Sequence, residues 1–440
     1  MKPALVLCIV ALLSAALPVS AQTPSALRLT LDEAIQRGLA TSHRMAEIVA
    51  RGDAADAVVG ERRAASLPQI AAQAGYMRTN HVDAFGVLLP TNQLRIIYPD
   101  VPDNYRTRLD LQWPIYTSGR LDALERAARI DATASADDVA ALRGDLRLEI
   151  TRAYWALVTA SESLLVVERS VARIDAHLRD VRNQLAAGLV PPNDVLTVEA
   201  QASRQRMLTV QARAVRDNAE TELGRLVGAS PGTPIETATA LEGAPADRGP
   251  LEALVDSARR QRPERAALVK RVDAARERGR AAAAGMKPTV AVGGGVDYGQ
   301  PNPRIFPRED AWKSSWDASV NLNWPLFDGG RARSEMAETS AAARATEERL
   351  AELDSAIAAD VHQRARDVES SRAVIDAAAD AVRSAAEARR VVGERFNAGV
   401  ATSTDVLDAQ IALLQAELDR TQAMANARLA DARLARAIGQ

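Results

Sequence analysis

Trp113-Pro114-Ile115-Tyr116-Thr117-Ser118-Gly119-Arg120 is echoed 211 residues later as Trp324-Pro325-Leu326-Phe327-Asp328-Gly329-Gly330-Arg331. Alternation leads into each copy, and a long helical pattern leaves it. Before the first, Tyr105, Thr107, Leu109, Leu111, Trp113 and Ile115 share one face, with Arg106, Arg108, Asp110 and Gln112 on the other. Before the second, Trp316, Ala318, Val320, Leu322, Trp324 and Leu326 alternate with Asp317, Ser319, Asn321 and Asn323. One greasy and one charged face is the pattern of a transmembrane β-strand, with lipid on one side and water on the other. A strand that hands over to a long helix at a Gly-Arg turn, twice, reads as the skeleton of a channel subunit.

Each of these strands has a partner upstream. After Pro68, Ile70, Ala72, Ala74 and Tyr76 alternate with Gln69, Ala71, Gln73 and Gly75. After Pro288, Val290, Val292, Gly294, Val296 and Tyr298 alternate with Thr289, Ala291, Gly293, Gly295 and Asp297. Loops rich in turn formers separate the partners, one expected from about residue 80 to residue 104 and one holding Pro301, Pro303 and Pro307.

Downstream of Gly119 no Pro appears until past Leu185, a helix of about 66 residues or roughly 100 Å. Ile150, Leu157, Leu164, Val171, Leu178 and Leu185 recur every seventh residue, with Ala153, Ala160, Val167, Ile174 and Val181 between them. That is a sustained coiled-coil seam. Gly188 suits a left-handed helix end, Pro191-Pro192 stop the helix, and Asn193 or Asp194 is expected to cap a returning helix from Val195 to Val227. The second half repeats this: a long helix from Arg331 to Phe396 with a weaker seam, then Gly399, Asp405-Val406-Leu407 and a last helix to Gly439. Shorter helices precede each strand pair. One is expected from Thr30, with Glu33 completing a capping box, to about Ser66, and one from Leu251 to Met286. Ser230 to Pro250 reads as a connector.

The 440 residues carry a net charge of −2, which argues against a dedicated nucleic-acid binder. Lys2, the apolar run from Ala4 to Leu17 and Val19-Ser20-Ala21 read as a secretory signal peptide cleaved after Ala21. The single cysteine, Cys8, falls inside it, so a mature chain without thiol chemistry or lipid anchor is expected. The expected organisation is residues 1–21 signal peptide, 22–250 first repeat and 251–440 second repeat. Twelve of the fifteen aromatic residues lie in the four strands and their two loops, as girdles on a membrane barrel would require. His43, His81, His177 and His362 are scattered without metal-ligand spacing, and Gly293-Gly294-Gly295 sits in a strand rather than a phosphate loop. No cofactor, metal site or enzyme activity is expected.

Four strands cannot close on themselves, since the smallest membrane barrels have about eight. Two copies would give a barrel filled by side chains. Three would give twelve strands and a lumen, which the polar faces favour. The fold class expected is therefore a trimeric, internally duplicated channel-tunnel, with an all-α coiled-coil tunnel joined to a four-stranded share of a membrane β-barrel. Both helix pairs leave the same end of the strands and so lie on one side of the membrane, which export by the signal peptide places in the periplasm of a Gram-negative cell.

The two Trp-Pro-[Ile/Leu]-[Tyr/Phe]-x-x-Gly-Arg joints, the two Gly-x-x-x-x-x-Asp-Val-Leu hairpins and the opening Leu31-Asp32-Glu33-Ala34-Ile35 together resemble the TolC family of outer-membrane channels. The resemblance covers nearly the whole mature chain. It implies a homotrimer in the outer membrane that meets a periplasmic adaptor (membrane fusion) protein and an inner-membrane RND pump or ABC exporter, and passes substrate outward passively. It implies adaptor contact at the tips, Gly188, Leu189, Val190, Gly399, Val400 and Ala401. It also implies an acidic aperture near the tip of the second long helix, where Asp376 and Asp380 stand one turn apart; the competing reading is a solvated helix face. Trp113, Pro114, Gly119, Arg120, Trp324, Pro325, Gly330 and Arg331 mark the barrel–tunnel junctions, and packing or a salt bridge between protomers is the plainer role for both arginines. The alternative function is a periplasmic coiled-coil scaffold or adaptor without a barrel, which would not need four amphipathic strands.

Overall fold

The computed structural model describes residues 26–241 and 248–440; the leader segment and Cys8 lie outside them. The described chain opens with a short strand, β1 (Leu27–Leu29), and turns at Thr30 into α1 (Leu31–Thr41). Thr30 and Glu33 make the reciprocal capping box, with Glu33 N donating to Thr30 Oγ1 (3.3 Å) and Thr30 N to Glu33 Oε2 (2.8 Å). The single helix expected to Ser66 is instead two. Ser42 is extended, and α2 (His43–Ala64) begins after it. The apolar stripe explains the break, because Ala34, Ile35 and Gly38 bury one face of α1 while α2 buries no residue at all.

β2 (Gln69–Arg78) follows Pro68. The loop expected after it contains a hairpin, β3 (Phe85–Leu88) and β4 (Leu94–Tyr98), before β5 (Asp103–Tyr116). Pairing shifts register between Pro114 and Tyr116 and resumes at Tyr116↔Val290, as a bulge allows at a residue without an N–H. α3 (Arg120–Ala186) and α4 (Pro192–Leu226) form the first hairpin. Neither Asn193 nor Asp194 caps α4. Its cap is Pro191, without a side-chain bond, and Pro192 takes the first helical position, where a missing N–H costs nothing.

The connector holds β6 (Ile235–Thr237), which pairs in parallel with β1. The next helix is again two, α5 (Leu251–Gln261) and α6 (Pro263–Ala283), because Pro263 drives Arg262 out of the helical region. β7 (Thr289–Gln300) and β8 (Lys313–Asn323) follow, then α7 (Arg331–Asn397) and α8 (Ser403–Ala437). α3 and α7 each have 67 residues, and α4 and α8 each have 35. The fourth strand was expected to reach Leu326 but stops at Asn323, the last residue paired with β7.

Two compact units emerge, and each draws on both halves of the sequence. One gathers the described part of Met1–Ser42 with Asp145–Arg248 and Arg364–Arg436. Its main core joins Ile35, Ile150, Leu157, Leu223 and Ile235 around Tyr154, which is fully buried. The Tyr154 hydroxyl donates to Leu29 O and accepts from Thr239 N, both at 3.0 Å, so one side chain pins the chain on either side of the β1–β6 ladder. A second core joins the seam residues Ile174, Leu178 and Val181 to Val195, Val198, Phe396, Val406 and Leu407.

The other unit gathers His43–Gly144, Gly249–Gln363 and Ala437–Gln440. It contains the antiparallel sheet β2-β5-β7-β8, with β2 and β8 as edges. α6 packs here through Ala267, Val272, Ala274, Ala281 and Ala282. Ion pairs tie it to α3 (Arg126–Glu277, 2.9 Å) and to α7 (Arg265–Asp354, 2.6 Å).

Candidate functional site

The sheet keeps the alternation read from the sequence and turns it into two chemically opposite faces. Tyr76 opposes Tyr105, Leu109 opposes Val296, Val296 opposes Trp316, and Val292 opposes Val320. These side chains share one apolar face, all of them exposed but the half-buried Val292. Tyr76, Tyr105, Trp312 and Tyr298 form a row of rings at the loop end, with centroids 4.9–5.9 Å apart. A sheet face this apolar has no stable place in water, and an aromatic row at its end matches a membrane–water boundary.

The other face carries a charge network that the sequence pattern did not reveal. Arg108 reaches Asp110 (2.5 Å), Asp317 (3.0 Å) and Asp297, and Arg106 reaches Asp297 (2.6 Å). Asp297 is only 2 % exposed, and its pairing with two guanidiniums is what allows a carboxylate there. Gly295 makes room. A Cβ on it would meet Arg108 Nη2 at 2.6 Å, so the arginine crosses β7 only because this residue has no side chain. Arg and Asp on the polar faces were visible in the sequence. Their meeting depends on register across three strands.

Both junctions turn through left-handed backbone, at Ser118 (φ 52°) and Gly119 (φ 79°) in the first and at Gly329 (φ 68°) and Gly330 (φ 89°) in the second. Asp328 caps α7, accepting from Gly330 N (3.0 Å) and Ala332 N (2.8 Å). These backbone donors, Ala332 foremost, hold its carboxyl below its ordinary value. Thr117 occupies the matching place before α3, with a longer bond from Leu121 N (3.4 Å). Arg120 pairs with Glu335 (3.2 Å) of the same chain, an ion pair between α3 and α7 rather than one between protomers. Trp113 lies in β5. Trp324 and Pro325 lie beyond β8, where Trp324 Nε1 donates to Met286 O (3.2 Å).

The two hairpin tips share one geometry. Gly188 and Gly399 are left-handed (φ 71° and 73°) and close Schellman motifs. Gly188 N donates to Leu185 O and Leu189 N to Gln184 O, and Gly399 N donates to Phe396 O and Val400 N to Arg395 O. The apolar residue after the glycine usually folds back onto the helix. Here Leu189 is 74 % exposed and Val400 62 %. Val190 and Ala401 instead pack against the tip core. α8 gains a Thr402–Asp405 capping box that α4 lacks. Behind the tips His177 is buried, with Nε2 3.0 Å from Ser403 Oγ and its ring edge-on to Phe396. Asp376 and Asp380 lie exposed on α7, and Asp380 pairs with Arg383. The candidate residues therefore form separate stations along the chain, not one pocket.

Among the described residues no helix is long and apolar enough to cross a membrane. Comparison with known proteins gives the family. The family described as outer membrane efflux protein matches residues 34–229 and 254–440. Protein CyaE of Bordetella pertussis is 28 % identical over 386 residues, 87 % of this chain and 78 % of that protein. Outer membrane protein TolC of Vibrio cholerae is 25 % identical over 397 residues, 90 % of this chain and 87 % of that protein. The crystal structure of VceC, an outer membrane protein of Vibrio cholerae, superposes with a TM-score of 0.78 at 19 % identity, covering 93 % of this chain and 96 % of VceC. The amphipathic sheet, the paired long hairpins and a match over most of the sequence lead to one conclusion: the chain belongs to the outer membrane efflux protein family, and is a Gram-negative outer-membrane channel of the efflux and secretion kind.

Proposed function

We propose that three copies close a twelve-stranded barrel and form the passive exit duct of a tripartite efflux or type I secretion system. The observation that carries this is the pair of unpaired sheet edges, β2 and β8. The second half matches the first at an offset of 220 before its loop (Pro68 and Pro288) and of 211 after it (Trp113 and Trp324). Pairing between halves, Leu111↔Gly294 and Leu109↔Val296, therefore predicts pairing between copies. Leu322 of one copy faces Ala74 of the next, and Val320 faces Tyr76. Both pairs keep apolar residues on the apolar face, as closure of a barrel demands. In a background with Cys8 alone, Leu322→Cys with Ala74→Cys should oxidise to a covalent closed trimer on denaturing gels. Open ladders or uncrosslinked monomer would sink the proposal.

The exposed Leu189 and Val400 support adaptor docking at the tips, with an inner-membrane RND pump or ABC exporter behind the adaptor. The duct does no chemistry of its own, so the pump sets the substrate. Asp376 and Asp380, repeated three times, would make a cation-attracting aperture. Two measurements on intact trimers read both roles. Leu189→Arg should lose export while conductance holds, and Asp376→Asn with Asp380→Asn should raise conductance and weaken cation selectivity. Unchanged export, or unchanged conductance, discards the corresponding role.

A further inference from the structure

The loop between β7 and β8 does not stand free above the sheet but folds down onto its polar face. Asn302 is 2 % exposed. Its Nδ2 donates to Lys313 O (2.9 Å) and Ser315 Oγ (3.1 Å), and its Oδ1 accepts from Arg304 N (2.9 Å). That use of the amide fixes the turn and aims Arg304 at β8, where its Nη1 donates to Trp316 O (2.8 Å) and lies 3.1 Å from Asp317 Oδ1. Asp317 is also held by Arg108, which in turn holds Asp297. A chain of alternating charge thus runs from the loop across β8 and β7 to β5. The same loop grips the first one. Arg308 N donates to Ile97 O (3.2 Å), and the Arg308 guanidinium lies 4.6 Å from the Tyr98 ring centroid.

All four strands join their helices at one end, so these loops mark the opposite end, the outer mouth. We infer that the strap at Asn302–Arg304, with Arg106, Arg108, Asp110, Asp297 and Asp317, is a second charged station of the channel, balanced in sign and separate from the helical tips. This rests on the reading of the sheet as one third of a water-filled barrel. Three cations and three anions balance in each copy, so the intact station discriminates little by sign. Its selectivity stays latent until one partner is removed. Closing the mouth with matched ion pairs narrows the path while leaving exported organic ions of either charge without an electrostatic barrier.

The test is reversal potential across a planar bilayer under a salt gradient, on purified trimers. Arg304→Ala leaves an acidic excess and should shift the channel toward cations. Asp317→Asn, similar in shape, leaves a basic excess and should shift it toward anions. Opposite shifts, largest at low salt, are the expected result. Arg304 is a partly exposed loop residue, so its variant keeps the barrel, and persistence of heat-resistant trimers checks this for both. Wild-type trimers that open no channel would remove the barrel reading underneath. Conducting variants with unchanged reversal potential would remove only this station and reduce the strap to a stabilising contact.

Discussion

Trp113–Tyr116 and Trp324–Phe327 are nearly the same sequence in two different states. The first lies in β5, paired to Val292, Ala291 and Val290. The second lies in no strand, and its Phe327 is 89 % exposed. Propensity does not separate them, because both join Trp-Pro to an aliphatic and an aromatic residue. What differs is the neighbour. β7 ladders with the first copy, while the second faces an edge that this chain leaves empty. α6 and α2 repeat the contrast, the one packed between two long helices and the other with no buried residue. In both contrasts the outer element of the first half and the closing element of the second are the ones left unsatisfied. In the proposed trimer they are two halves of one interface.

That comparison breaks most decisively at the helices. Ala274 is fully buried in α6, and its counterpart 220 residues earlier, Ala54, is exposed in α2. Ala274→Leu should overpack the chain itself and cost about 1–3 kcal/mol in denaturant unfolding of the isolated protomer. Ala54→Leu should leave that stability unchanged and weaken only the trimer, seen by sedimentation. Equal loss of protomer stability in both would show that α2 has its partner within the chain.

A smaller difference separates the two junctions. Asp328 caps with a carboxylate, Thr117 with a hydroxyl. Because the folded state lowers the Asp328 pKa, its contribution is full above the ordinary value of 3.8 and is lost as pH falls through the lowered one. Asp328→Asn should therefore melt below wild type near neutrality and converge with it in acid. Thr117→Ala should show a deficit that does not change over that range. Parallel melting curves for Asp328→Asn at every pH would contradict the capping assignment.

The strands, the long helices and both tips were legible because each has a period or a stop signal: alternation, heptads, Gly188 and Gly399, Pro68 and Pro288. The misses fall where such signals are weak or were passed over. Pro263 announced the break before α6, but the apolar pattern on either side hid it. Ser42 carries no such warning, since that break follows from a change in what the helix packs against. β1 and β6, at three residues each, are too short to show a period. The β3–β4 hairpin did leave a trace, apolar runs on either side of Pro90-Thr91-Asn92, within a loop read only for its turn formers. Of the candidate site, the turn glycines were readable because backbone handedness selects for them. The Arg108 network was not, because composition names its members and only strand register introduces them.

His177 adds a dependence on acidity to the hairpins. Burial pushes its imidazole below the ordinary 6.5, only partly opposed by Asp180 on the same helix and by its hydrogen bond to Ser403. The folded tip therefore holds the neutral ring, and the stability this confers is complete above 6.5 and drains away as pH falls below it. Its bond to Ser403 and its contact with Phe396 join the first hairpin to the second. A compartment open to the medium through porous membrane takes on the medium's pH. Acid outside the cell would thus loosen the seam between the hairpins, and His177→Gln should make thermal stability indifferent to pH between about 5 and 7. A steep acid dependence surviving that substitution would place the sensor elsewhere. With His177 as the sensor, the duct would report the acidity of the surroundings into which it empties.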